Sequence, residues 1–428
     1  MSGERNHRWR TWSLGGAAIG ILVLAPQTAA AQGGGGSCVA CHAALGDGPL
    51  GAPARSFPAD IHAERGFGCV ACHGGDETAA GFEAMDPAKG FLGRPQGRML
   101  LDVCGRCHSS ASFMRRYNPA LRVDQVVEYL TSVHGQRLMQ LNDSLVATCS
   151  SCHTPHRIRP PSDPLSSVHP LNVETTCGAC HADSARMETY GLPTDQMQDY
   201  RTSIHRRMLV EENDVSAPTC NDCHGNHGAA PPGISWVGNV CSQCHATMGQ
   251  FFRESRHAQT FVMLGVPGCA TCHGNHAIGE ATTEMLGVTE GTVCSQCHGA
   301  GDAGGVIAAN MRQLLDSLES RFDSAHALLE EAERAGIEVS QALFELEGAN
   351  NARIGARAAV HSFGLVAVET EVAAGLEVTS AGIVAGEDAL NELKFRRLGL
   401  AVSVMIILAL VGGLLLKIRE LDRRGTTI

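Results

Sequence analysis

The sequence predicts a mainly α-helical chain with much irregular coil and little or no sheet. Three observations carry that reading. The five-residue pattern Cys-x-x-Cys-His occurs nine times between Cys38 and His298 and uses all 18 cysteines. Aromatic residues make up 4% of the chain while glycine occurs 49 times, so the chain is short of the large side chains of an ordinary core. Beyond His298 cysteine stops and long amphipathic patterns begin, ending in the uncharged stretch Leu398–Leu416.

The nine motifs pair Cys38 with Cys41, Cys69 with Cys72, Cys104 with Cys107, Cys149 with Cys152, Cys177 with Cys180, Cys220 with Cys223, Cys241 with Cys244, Cys269 with Cys272, and Cys294 with Cys297. Each pair is followed at once by a histidine: His42, His73, His108, His153, His181, His224, His245, His273 and His298. This spacing is that of c-type haem attachment. Two thiols add to the two vinyl groups of one porphyrin, and the adjacent imidazole ligates the iron from one side. Zinc sites or redox dithiols use similar pairs, but nine copies, each with its histidine and no cysteine left over, favour nine covalently bound haem c groups. The motifs occupy only about 29 residues per haem, too few to build a separate core around each. The expectation is a haem-packed domain over residues 32–299.

The chain before it, residues 1–31, reads as a signal peptide. Arg5, Arg8 and Arg10 precede the apolar run Ser13–Ala25, and Ala29–Ala31 offers a cleavage site before Gln32. The haem domain is therefore expected in the bacterial periplasm. Net charge is −11, which argues against nucleic acid as a partner.

An internal repeat runs through the motif region. Its clearest copies read Ser-x-His, a spacer, then Cys-x-x-Cys-His-x-x-His. They contain His134 and His156, His205 and His227, and His257 and His276. A weaker copy places His62 before Cys69, and a further Ser-x-His places His169 before Cys177. Saturating nine irons requires nine distal ligands. His62, His134, His156, His169, His205, His227, His257 and His276 supply eight candidates, and the ninth must come from beyond His298. Of His326 and His361, the second lies on the apolar seam of its helix and is the candidate, expected to fold back over the last motif and hold that end near the bilayer.

Residues 300–392 are expected to form a helical hairpin. The first seam runs Met311, Leu315, Leu318, Phe322, Ala325, Leu329, Ala332, and the second Ile354, Ala358, His361, Leu365, Val368, Val372, with a turn near Gly348 and Asn350. Residues 393–428 read as a transmembrane helix and short tail. Basic residues flank the span on both sides, and the exported haem domain places the C-terminus in the cytoplasm, with the protein in the inner membrane.

The repeated Cys-x-x-Cys-His-Gly-x-His and Ser-x-His elements over residues 38–298 resemble the membrane-anchored multihaem c-type cytochromes of bacteria. The resemblance implies bis-histidine haems and respiratory electron transport between a quinol-oxidising or cytochrome b-type membrane subunit and periplasmic redox proteins. Quinol dehydrogenases of that kind carry the anchor at the N-terminus, whereas here it lies at the C-terminus, which points to a subunit of a larger complex. The alternative is a multihaem oxidoreductase acting on a small nitrogen or sulfur compound at one open haem. None of the nine motifs replaces its histidine by lysine, and the four tyrosines show no catalytic pattern in the sequence.

Overall fold

The computed structural model describes residues 36–231 and 239–425, which form helices and coil without a strand. The expected signal peptide, residues 1–31, lies outside the described residues. Contact density divides the chain differently from its composition. One compact unit comprises residues up to Arg94 with His156–Ile158, and the other comprises Pro95–Pro155 with everything from Arg159 onward.

In the first unit the opening motif lies on the helix Gly36–Ala43. The Ser37 hydroxyl and backbone N–H both donate to the Glu77 carbonyl, at 2.9 and 3.0 Å. The second motif ends at Gly74, whose φ is +67° and whose absent Cβ would stand 1.9 Å from the Gly90 carbonyl oxygen. Only glycine permits that approach.

The second unit repeats one local device. In the Ser-x-His copies at Ser132, Ser203 and Ser255 the serine is a helix N-cap and the histidine is the second helical residue. Ser132 accepts the Gly135 N–H at 2.9 Å, and Ser203 accepts the Arg206 N–H at 3.2 Å. Each serine hydroxyl in turn donates to the carbonyl three residues back, on Tyr129, Tyr200 and, for Ser255, Phe252. The two tyrosines then reach forward: Tyr129 Oη donates to the Ala147 carbonyl at 2.8 Å and Tyr200 Oη to the Pro218 carbonyl at 2.9 Å. Each brace fixes the chain just before a motif, where Thr148 and Thr219 form capping boxes over the helical turns beginning at Cys149 and Cys220.

The C-terminal part is a three-helix bundle rather than a hairpin: Ala303–Arg334, Ser340–Ala359 and Leu365–Gly425. Asp302 caps the first by accepting the Gly305 N–H at 2.7 Å. The first predicted seam is correct, with Leu318, Ala325, Leu329 and Ala332 all fully buried. The predicted turn near Gly348 is not: Gly348 lies inside the second helix, and the turns fall after Arg334 and Ala359. A Cβ at Gly348 would meet Val378 of the third helix at 3.7 Å, an ordinary contact, so packing there does not demand glycine. Gly375 and Gly386 are tighter, with added Cβ atoms 2.7 Å from Leu318 and Leu328 side-chain carbons. Small residues let three backbones close on one another where sequence reasoning saw helix breakers.

The third helix is 61 residues long. Its first half packs in the bundle through Val368, Val372 and Ala389. Its second half contains an unburied window with mean hydropathy 2.7, long and apolar enough to cross a membrane. At ~1.5 Å per residue, the helix rises about 50 Å between Leu365 and Leu398. The bundle is therefore a stalk. The turn carrying His361 lies at the end of the bundle remote from the apolar segment, not beside that segment as the sequence led us to expect.

Candidate functional site: seven facing pairs of imidazoles

The structure brings fourteen of the sequence-predicted histidines together in seven pairs. Each pair joins one motif histidine to one histidine from outside the motifs. His73 faces His156 with ring centres 5.9 Å apart, His181 faces His134 at 6.1 Å, and His153 faces His227 at 6.3 Å. His245 faces His205 at 6.2 Å, His224 faces His276 at 6.0 Å, His298 faces His257 at 6.0 Å, and His273 faces His361 at 6.0 Å. Two imidazoles bound to one metal at about 2 Å per nitrogen have ring centres about 6 Å apart. Rings in van der Waals stacking contact would lie closer, so the spacing fits an ion held between the two imidazoles.

The second nitrogens support the same chemistry. A ligating imidazole commonly donates its Nδ1–H to a carbonyl or carboxylate, which leaves Nε2 as the free lone pair. His73 Nδ1 contacts the Gly93 carbonyl at 2.7 Å, His224 Nδ1 the Ala230 carbonyl at 3.2 Å, and His361 Nδ1 the Ala358 carbonyl at 3.1 Å. His298 Nδ1 contacts the Asp302 carboxylate at 3.1 Å. Burial, followed by the facing imidazole, holds His134, His156, His205 and His257 below the ordinary histidine range, and burial followed by His224 does the same for His181. Burial likewise lowers His361. Neutral imidazole is the form that binds a metal.

A pairing rule emerges that the sequence did not disclose. A Ser-x-His histidine skips the motif next to it and faces the one after: His134 reaches His181, His205 reaches His245, His257 reaches His298. The second histidine of Cys-x-x-Cys-His-x-x-His reaches back two motifs: His156 to His73, His227 to His153, His276 to His224. The expected partner of His361 was the last motif. The structure gives that place to His257 and sets His361 against His273, one motif earlier. His326 lies instead beside Phe322 and Glu330, its Nδ1 3.8 Å from the carboxylate.

His42, His62, His108 and His169 complete the predicted set. His42 Nδ1 contacts the Leu50 carbonyl at 3.0 Å, and His62 Nδ1 contacts the Asp60 carboxylate at 2.9 Å. His108 ends the helix Arg98–His108. His169 is buried as the N-cap of the helix Pro170–His181, its Nδ1 accepting the Leu171 N–H at 3.3 Å.

None of the eighteen cysteines is disulfide-bonded. In the second unit, motifs adjacent in sequence are also adjacent in space. First cysteines hydrogen-bond pairwise, Cys104 with Cys149, Cys177 with Cys220, and Cys241 with Cys269. Second cysteines lie close enough to the next motif to feel its charge: Cys152 feels Cys180, Cys223 feels Cys241, and Cys272 feels Cys294. The seven motifs from Cys104 to Cys294 thus form an unbroken series. Among the described residues, no three His, Cys, Asp or Glu side chains converge as a free-standing metal site. The arrangement is one of opposed pairs, unlike the tetrahedral clusters zinc takes.

Sequence reasoning missed the bracing role of Tyr129 and Tyr200. The signal was present as an aromatic residue three positions before each of Ser132, Ser203 and Ser255. No known protein family, curated protein or solved structure matches this chain.

Proposed function

We propose that the chain is a membrane-anchored nonahaem cytochrome c that conducts electrons along a series of bis-histidine haems. The observation that carries this is the set of seven motif histidines, each opposed by a second imidazole at the spacing one iron requires. Bound haem supplies a one-electron couple at each motif. The chain's own residues attach the porphyrin through two cysteines and close both faces of the iron with imidazole. They also hold successive motifs in contact. Closing both faces excludes substrate from the metal and keeps the ligand geometry the same in both oxidation states. That favours a carrier over the alternative of catalysis on a small nitrogen or sulfur compound.

The anchor ties this carrier to the bilayer, with the haem region on the periplasmic side of the inner membrane. The stalk bears on how electrons arrive. The His273–His361 pair stands about 50 Å along the helix from the apolar segment, too far for direct exchange with a quinol in the bilayer. A quinol-oxidising or cytochrome b-type subunit that delivers electrons at this end must itself project from the membrane, and periplasmic redox proteins would receive them. The test is intact-mass analysis and haem quantitation of the protein extracted from membranes. Nine haem additions and a low-spin spectrum are the expected result. Retained free thiols, zinc in place of haem, or a dominant high-spin spectrum would refute the proposal.

A further inference from the structure

The seven pairs differ in one respect beyond their partners, the angle between the two imidazole planes. Where the outer histidine reaches back, the planes are nearly coplanar: 6° for His73 with His156, 18° for His153 with His227, 15° for His224 with His276, and 20° for His273 with His361. Where it reaches forward from Ser-x-His, the planes are crossed: 60° for His181 with His134, 38° for His245 with His205, and 60° for His298 with His257. The two ranges do not overlap.

The difference has a local cause. The crossed class takes its outer histidine from the second residue of a helix whose N-cap is Ser132, Ser203 or Ser255. The helix fixes the backbone and restricts χ1, so one orientation recurs. The coplanar class takes its outer histidine from irregular chain. His156 has a φ of +64°. His227 and His276 each follow an asparagine whose side-chain oxygen accepts the histidine's own N–H, at 2.7 and 2.8 Å. His361 sits in a one-turn 3-10 helix between two bundle helices.

Resting on the haem reading above, we infer that the haem sites of this chain form two electronic classes that alternate along the series: coplanar at the motifs of Cys69, Cys149, Cys220 and Cys269, crossed at those of Cys177, Cys241 and Cys294. Imidazole π-orbitals lie perpendicular to the ring plane. Two coplanar rings act on the same iron d orbital and split the pair that would otherwise be degenerate; rings crossed by 38–60° act partly on both members and split them less. Low-spin ferric iron has one hole in this set and gains from the splitting, whereas the filled ferrous set gains nothing. Coplanar sites therefore hold ferric iron more firmly and have the lower potential; crossed sites have the higher. An electron passing from Cys149 to Cys294 meets low and high potentials in turn.

The test is electron paramagnetic resonance of the full chain in detergent, oxidised, with haem content measured on the same sample. At least four of nine haems should give a rhombic signal and at least three a signal with a large maximal g value and little rhombicity. In a redox titration, the large-g population should be reduced first. His257→Ala should remove one haem from the large-g population and leave the rhombic one intact; His227→Ala should do the reverse. If either variant loses haem, the unmodified protein still decides by its two populations. Nine low-spin haems in a single class, a rhombic population reduced first, or depletion of the rhombic signal by His257→Ala would overturn this inference while leaving the carrier proposal in place. Fewer than nine haems would overturn the carrier proposal itself.

Discussion

Replacing His361 by alanine separates the pairing in this structure from the one the sequence suggested. The imidazole faces His273 across 6.0 Å, with planes 20° apart, and its Nδ1 is tied to the Ala358 carbonyl. Alanine leaves one face of that site without a ligand and leaves thioether attachment at Cys269 and Cys272 untouched. The expected effect is a gain of one high-spin haem over the unmodified protein, with one equivalent of carbon monoxide bound in the reduced state. The rhombic population should fall by one haem and the large-g population should stay whole, because the site at Cys294 is closed by His257. Haem content should remain nine. The assay is paramagnetic resonance with optical titration by carbon monoxide, and His326→Ala, beside Phe322 and Glu330, should leave both readouts unchanged. A loss from the large-g population would place His361 on the last motif after all. A high-spin haem from His326→Ala alone would show the wrong histidine had been chosen.

Three other perturbations test the scaffold. Leu318 is fully buried where Gly375 admits it, so Leu318→Ala should destabilise the bundle by about 2–5 kcal/mol without changing haem content, read by thermal unfolding followed by circular dichroism; an unchanged transition would refute the packing. Truncation before Leu398 should release red protein from the membrane, and retention in the membrane fraction would mean that a second anchor exists. Glu174 is buried and accepts from both Arg206 and Arg201. Burial pushes its carboxyl up, but the two guanidinium hydrogen bonds outweigh burial and hold it below the ordinary range. A depressed folded-state pKa adds stability that is present above the unfolded pKa of about 4.3 and lost as pH falls through the folded value. Glu174→Gln should therefore cost roughly 1.5–3 kcal/mol at neutral pH and flatten the acid limb of the stability curve; a variant as pH-sensitive as the original would remove Glu174 from the account.

The sequence made some parts of this molecule legible and hid others, for physical reasons. Cys-x-x-Cys-His is a local pattern, so all nine motifs and their histidines could be found from spacing alone. The apolar seam from Met311 to Ala332 was equally readable, because helical periodicity is a one-dimensional pattern. The bundle's second turn was misplaced because Gly348 is a breaker by propensity, and the tertiary packing of the second helix overrides that propensity. Partner choice was not readable at all. Nothing in Ser255-Arg256-His257 says that His257 passes over the motif at Cys269 to reach His298. There the helix that starts after Ser255 carries the histidine, and the Ser255 hydroxyl is tied back to the Phe252 carbonyl. The repeat was visible, but the distance over which each copy acts appears only in three dimensions.

The two senses of reach bear on what holds the motif region together. Its apolar core is slight: Leu101, Tyr129 and Leu138 form one small cluster, while the bundle has two larger ones. So little buried area cannot offset the entropy of ordering the chain around nine motifs. On the proposed reading, paired ligands would supply what the side chains do not. A histidine reaching forward and one reaching back cross over each other's segments. The motifs at Cys149, Cys220 and Cys269 are paired with chain both upstream and downstream, while those at Cys177 and Cys241 are paired upstream only. His224 is held from His276, while His227, three residues on, holds His153. Removing one ligand then leaves its neighbours still tied across the gap, so the damage stays local in structure. Electron flow, on the proposed reading, would have no such redundancy, because the motifs follow one another in single file from Cys104 to Cys294. The proposed carrier would then separate the two tolerances: the fold could lose a ligand at one site more readily than the conduit could lose a carrier there.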